Sequence, residues 1–125
     1  MILQRKPTNN DFVEKIQDLF LVLQSIDSKW TTPEIISNAI KSQINEINAD
    51  IEKQVETVTN ETFDFLTNIG ALEKGLIDDK VMKDHYNKQG YKMCVDFSLF
   101  QLKYKNGQLI KKDIGQYNFE IEQEQ

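Results

Sequence analysis

A chain of 125 residues with 39% hydrophobic and 28% charged side chains has the make-up of one soluble domain with a real core, neither disordered nor membranous. No apolar run approaches membrane-spanning length, and the start MILQRKPTNN lacks an apolar stretch of signal-peptide size, so export by that route is not expected. The net charge of −5 is unevenly placed: residues 1–70 hold six Lys/Arg against eleven Asp/Glu, whereas residues 71–125 hold nine of each.

An acidic helical half repels phosphate backbones and suits a basic or neutral protein partner; the same carboxylates would equally serve as a solvated face. Cys94 is the only cysteine, which excludes an intrachain disulfide and fits a reducing setting such as the cytoplasm or the inside of a virion.

Residues 10–29 read as an amphipathic helix. Phe12, Ile16, Leu19, Leu23 and Ile26 recur at steps of four and three, with Val13 and Phe20 widening the face. Pro7, Thr8, Asn9 and Asn10 supply N-cap chemistry ahead of it. The run Thr31-Thr32-Pro33-Glu34 then offers a threonine cap, a first-turn proline and a glutamate three residues after Thr31.

From there a ladder of apolar rungs begins: Ile36, Ile40, Ile44, Ile47, Ile51, Val55, Val58, Leu66 and Ile69, with Thr62 the one polar rung. The rungs keep an eleven-residue period of about 3.67 per turn, which holds a stripe on one face of a nearly straight helix. The expectation is a long helix over 33–72, roughly 55 Å at 1.5 Å per residue. Thr57, Thr59, Asn60 and Thr62 are mediocre helix formers, so a new helix capped by Thr59 is the alternative to a continuous one.

Further on, Asp78 or Asp79 can cap a short helix over 78–89 that carries His85 and ends at Gly90. Met93, Val95, Phe97 and Leu99 alternate with polar neighbours, and Asn106-Gly107 is a strong hairpin signal that pairs Tyr104 with Leu109 and Leu99 with Ile114. Gly115 permits another reversal into a strand bearing Tyr117, Phe119 and Ile121, so antiparallel strands are expected over 91–122. The fold class is α+β: a helical hairpin with one long helix, a short helix, then a small antiparallel sheet or meander.

Chemistry-bearing patterns are sparse. One cysteine and one histidine cannot build a zinc site, and no phosphate-binding glycine loop or calcium loop occurs. Cys94 reads as a small buried strand residue rather than a nucleophile, and His85 as a surface residue. No cofactor, metal or catalytic residue is expected.

The favoured function is therefore a non-enzymatic assembly or scaffold component, such as a phage or virus structural protein. A first helix of about twenty residues covers only half of a 55 Å ladder, which leaves Ile44, Ile47, Ile51, Val55, Val58, Leu66 and Ile69 as the interface for further copies of the chain or for other helical proteins. The competing arrangement is a monomer that folds its own sheet onto the stripe. Two other functions stand beside assembly. One is an acidic inhibitor or immunity-type protein that blocks a basic toxin or nuclease. The other is a DNA-binding protein, because helices followed by a basic hairpin (Lys103, Lys105, Lys112) outline a winged helix. Against it, the segment 60–72 shows Glu61, Asp64, Thr67 and Asn68 but no Lys or Arg.

Overall fold

The computed structural model describes residues 6–26 and 29–114. Helix α1 (Asn9–Ser25) opens on a reciprocal capping box, in which Thr8 Oγ1 accepts from the Asp11 amide and Asp11 accepts from the Thr8 amide. A short strand β1 (Trp30–Thr31) precedes α2 (Pro33–Lys41). The threonine cap of α2 is Thr32, whose hydroxyl accepts from the Ile35 amide at 3.1 Å; Thr31 lies in β1 instead.

The long helix expected over 33–72 is two helices. Helix α2 ends at Lys41, and α3 (Ala49–Asn68) starts only after the connection 42–48. Asn48 causes the restart: its Oδ1 accepts the Ile51 amide at 2.9 Å, with Asp50 and Glu52 in the first turn where the helix dipole favours carboxylates. Thr59, the alternative break point, is buried within α3 and donates its hydroxyl to the Val55 carbonyl at 2.7 Å. Thr62 donates to Val58 in the same way, so both hydroxyls are satisfied inside the helix. Gly70, at φ +82°, closes α3: Gly70 and Ala71 donate back to the Thr67 and Leu66 carbonyls.

Strands β2 (Leu72–Leu76) and β3 (Gln89–Met93) pair antiparallel, and β1 pairs with the other side of β3, giving the order β1-β3-β2. The helix expected over 78–89 is a loop of turns instead. It is closed at its base by the Ile77 amide on the Lys88 carbonyl and the Asn87 amide on the Ile77 carbonyl. Asp79 caps only a local turn through the Val81 amide. The alternation after Met93 also divides: β3 stops, and a 3-10 turn at Phe97–Leu99 buries Phe97 while Val95 and Leu99 stay exposed.

A separate hairpin follows, β4 (Phe100–Lys105) with β5 (Gln108–Asp113), around Asn106 and Gly107, both at positive φ. Tyr104 faces Leu109 as expected, and the same register runs to Phe100 opposite Asp113. The third strand expected around Tyr117, Phe119 and Ile121 lies outside the described residues.

All these elements share one core. It joins Phe12, Val13, Ile16 and Phe20 of α1, Ile36 and Ile40 of α2, and Val55, Val58, Phe63 and Leu66 of α3 to residues of the strands. Phe20 stacks on Phe97 at 4.7 Å between ring centroids, and Phe63 meets Tyr91 edge-on. The ladder rungs kept their phase because α2 and α3 turn their stripes toward the same core from two directions. Excluding the added hairpin, the element order is helix–strand–helix–helix–strand–strand, with β3 central in its sheet. The loop 77–88, which joins β2 to β3, projects from this sheet as a wing loop.

Candidate interaction face

The seven ladder residues expected at a partner interface do not form one surface. Val55, Val58 and Leu66 are fully buried in the chain's own core, and Ile44 and Ile51 are partly buried against it. Ile47 is exposed in the connection between α2 and α3, and Ile69 is exposed just past the end of α3. The stripe is a core stripe, and the chain's own α1 and strands cover most of it.

A different concave face lies between the start of α2, the middle of α3 and the wing loop. Its groove encloses about 850 Å³ and is lined by Thr32, Glu34 and Ser37 of the α2 end, Glu56 and Asn60 of α3, and Asp84, His85 and Lys88 of the loop. Three carboxylates and the Lys88 ammonium line this groove, with Lys41 reaching Glu56 from α2. Local chemistry puts each carboxylate there. Glu34 lies in the first turn of α2, where the dipole favours it; Glu56 receives the Lys41 ammonium at 2.9 Å across the α2–α3 pair; Asp84 comes from the wing loop. The outward positions of α3 continue the sign, with Asp50, Glu52, Glu61 and Asp64 exposed and Lys53 the lone basic residue of the helix.

This groove was hidden in the sequence. Glu34 read as a capping residue and Asp84 as part of a short helix, and nothing in their spacing brings them to Glu56. Only the break at 42–48, which folds α2 back against α3, creates the site.

A second groove, of about 640 Å³, holds Cys94 together with Gln24, Glu73 and Lys92. Cys94 is exposed rather than a buried strand residue, because β3 ends one residue before it. Its thiol is pushed above the usual range, first by desolvation and then by the Glu73 carboxylate 3.8 Å away, with Lys92 opposing. His85 lines the other groove, so the two residues are not brought together. Among the described residues no group of three His, Cys, Asp or Glu is placed to hold a metal ion, and no helix is long and apolar enough to cross a membrane.

Two lysines of the hairpin have carboxylates beside them. Lys103 reaches Glu14 at 3.7 Å, and Lys111 pairs with Asp113 at 3.0 Å. No protein-family model, curated protein or solved structure matches this chain.

Proposed function

We propose that this chain is a non-enzymatic protein-interaction module that receives a basic segment of a partner protein on the face made by the start of α2, helix α3 and the wing loop. The observation that carries this is the groove in which Glu34, Glu56 and Asp84 converge, continued by the carboxylates along α3. The charge of this face opposes phosphate and attracts Lys and Arg. An acidic inhibitor of a basic toxin or nuclease, or an acidic component of a larger assembly, would both use it this way. Self-assembly through the ladder is the weaker form of the idea. It would require Val55, Val58 and Leu66 to leave the core at a cost of roughly 1.5–3 kcal/mol each.

The test is binding of an arginine-rich peptide, followed over a series of salt concentrations, by the native chain and by a Glu34→Lys, Asp84→Lys double variant. The reading expects affinity that falls with salt and is lost in the variant. Equal binding by both proteins would sink it.

Nucleic-acid binding is a second reading, favoured by Lys80, Lys83 and Lys88 in the wing loop. Duplex DNA binding at moderate salt that disappears in a Lys80→Glu, Lys83→Glu variant would support it over the protein-partner reading.

A further inference from the structure

The two faces of the three-stranded sheet are covered differently. Leu72, Tyr91 and Met93 pack on the main core and Thr31 is fully buried, so alternation along the strands turns Trp30, Gly75, Gly90 and Lys92 to the other face. Neither Trp30 nor Ile77 belongs to the main core, yet Ile77 is only 1% exposed. A second, smaller packing site accounts for this. Gly75 and Gly90 face each other across β2 and β3, where a Cβ on Gly75 would lie 3.3 Å from Trp30 Cη2 and one on Gly90 2.5 Å from Ile77 Cδ1. Two absent side chains leave the floor on which the indole and Ile77 lie.

The indole is also tied to the wing loop. Trp30 Nε1 donates to Asp78 Oδ1 at 3.0 Å, a bond across 48 residues of sequence. Two backbone bonds close the loop at its base, from the Ile77 amide to the Lys88 carbonyl and from the Asn87 amide to the Ile77 carbonyl. Beyond them the loop has little to hold it, since no residue from Asp78 to Gln89 is buried and Val81 is 86% exposed. A segment anchored only at its base opens at a smaller cost than the whole fold.

We propose that Trp30 and Asp78 form a latch that holds the base of the wing loop on the sheet, so that the loop opens and closes as a unit while the main core stays folded. The lining of the acidic groove does not include Trp30, but the loop that Trp30 holds carries Asp84, His85 and Lys88 into that groove. Trp30 is thus a positioning residue for a site it does not touch. That consequence rests on the groove being a binding site; the latch itself does not.

Native-state amide exchange of the full chain, at a series of low denaturant concentrations, tests the latch. The Ile77 and Asn87 amides should exchange faster than the Phe63 amide inside α3, and with little dependence on denaturant. Asp78→Ala removes the acceptor and should speed both loop amides roughly two- to tenfold, the range one hydrogen bond supports. Asp78→Asn keeps an acceptor oxygen and should leave them near native. Because Asp78 shares a hollow with Lys29 and Lys92, this variant also separates the bond from the charge. Loop amides that share the protection and denaturant dependence of Phe63, or that exchange alike in the native chain and Asp78→Ala, overturn the latch. With an arginine-rich peptide at about ten times its dissociation constant, both loop amides should slow about tenfold, because the open loop has lost one wall of the groove. Peptide that binds without slowing them overturns the positioning role while the groove reading stands. Peptide that fails to bind the native chain overturns the groove reading, and the exchange of the free chain then decides the latch.

Discussion

The side-chain oxygen of Gln17 accepts the backbone amide of Leu102 across 85 residues of sequence, while its Nε2 donates to the Phe97 and Phe100 carbonyls at 2.9 and 3.1 Å. Gln17 is 6% exposed, so one amide group satisfies three backbone groups where α1 meets the added hairpin. Gln17→Leu keeps the volume but orphans all three. Denaturant unfolding should show a loss of about 3 kcal/mol, since each buried unpaired group costs about 1–3 kcal/mol. A loss below about 1 kcal/mol would mean that water or a shifted backbone takes over these partners.

Gln17 also shows what the sequence carried and what it did not. Its spacing from Val13 and Phe20 puts it on the apolar side of α1, but nothing local to α1 announces the hairpin backbone groups it meets. The hairpin around Asn106-Gly107 was legible because turn chemistry is local, and so was the α2 start at Thr32-Pro33. The ladder period was real, yet period alone cannot separate one helix from two that aim their stripes at one core. Asn48, whose cap sets that division, looked like one more wet residue between rungs. The wing loop was misread as a helix because Asp78 and Asp79 resemble caps, whereas the strand pairing of Leu76 with Gln89 decides its path. The acidic groove depends on that loop and on the α2–α3 fold-back, so neither composition nor spacing could reveal it.

Burial separates the ladder rungs sharply in their tolerance of charge. Val58 is 1% exposed and Ile47 is 39% exposed. Val58→Asp places an unpaired carboxylate in the core and should abolish cooperative folding. Ile47→Asp, in the connection before Asn48, should shift the unfolding midpoint only slightly. If Ile47→Asp instead changed the mass of the species in solution, the exposed part of the stripe would be part of an interface after all.

Gly90 sits at the centre of the three-stranded sheet opposite Gly75, and a Cβ on it would lie 2.5 Å from Ile77 Cδ1 and Cγ1. Ile77 is itself 1% exposed and anchors the base of the wing loop. Gly90→Ala should therefore cost about 1–3 kcal/mol by overpacking. The cost should be smaller in an Ile77→Ala background, where both clashing carbons, Cδ1 and Cγ1, are gone. Strict additivity of the two substitutions in thermal unfolding would show that the clash is relieved elsewhere.

The thiol of Cys94 offers a pH test of the second groove. Desolvation, the Glu73 charge and its hydrogen bond together raise the thiol above its ordinary value of 9.0, against the pull of Lys92. A group whose folded value is raised favours the protonated form in the native state. Its contribution to stability is complete below the unfolded value and is lost as pH rises through the folded one, so the window opens above the usual thiol range. The thiolate is the nucleophile, and alkylation of the folded chain should follow a pH profile displaced upward from that of the urea-unfolded chain. Glu73→Gln removes the charge and should move the native profile back down without abolishing the displacement, since desolvation is the larger cause. Lys92→Gln should move it further up. A native profile at or below the unfolded one, measured with a small neutral alkylating agent, would show that Cys94 is more open to water than its neighbours Glu73 and Lys92 imply.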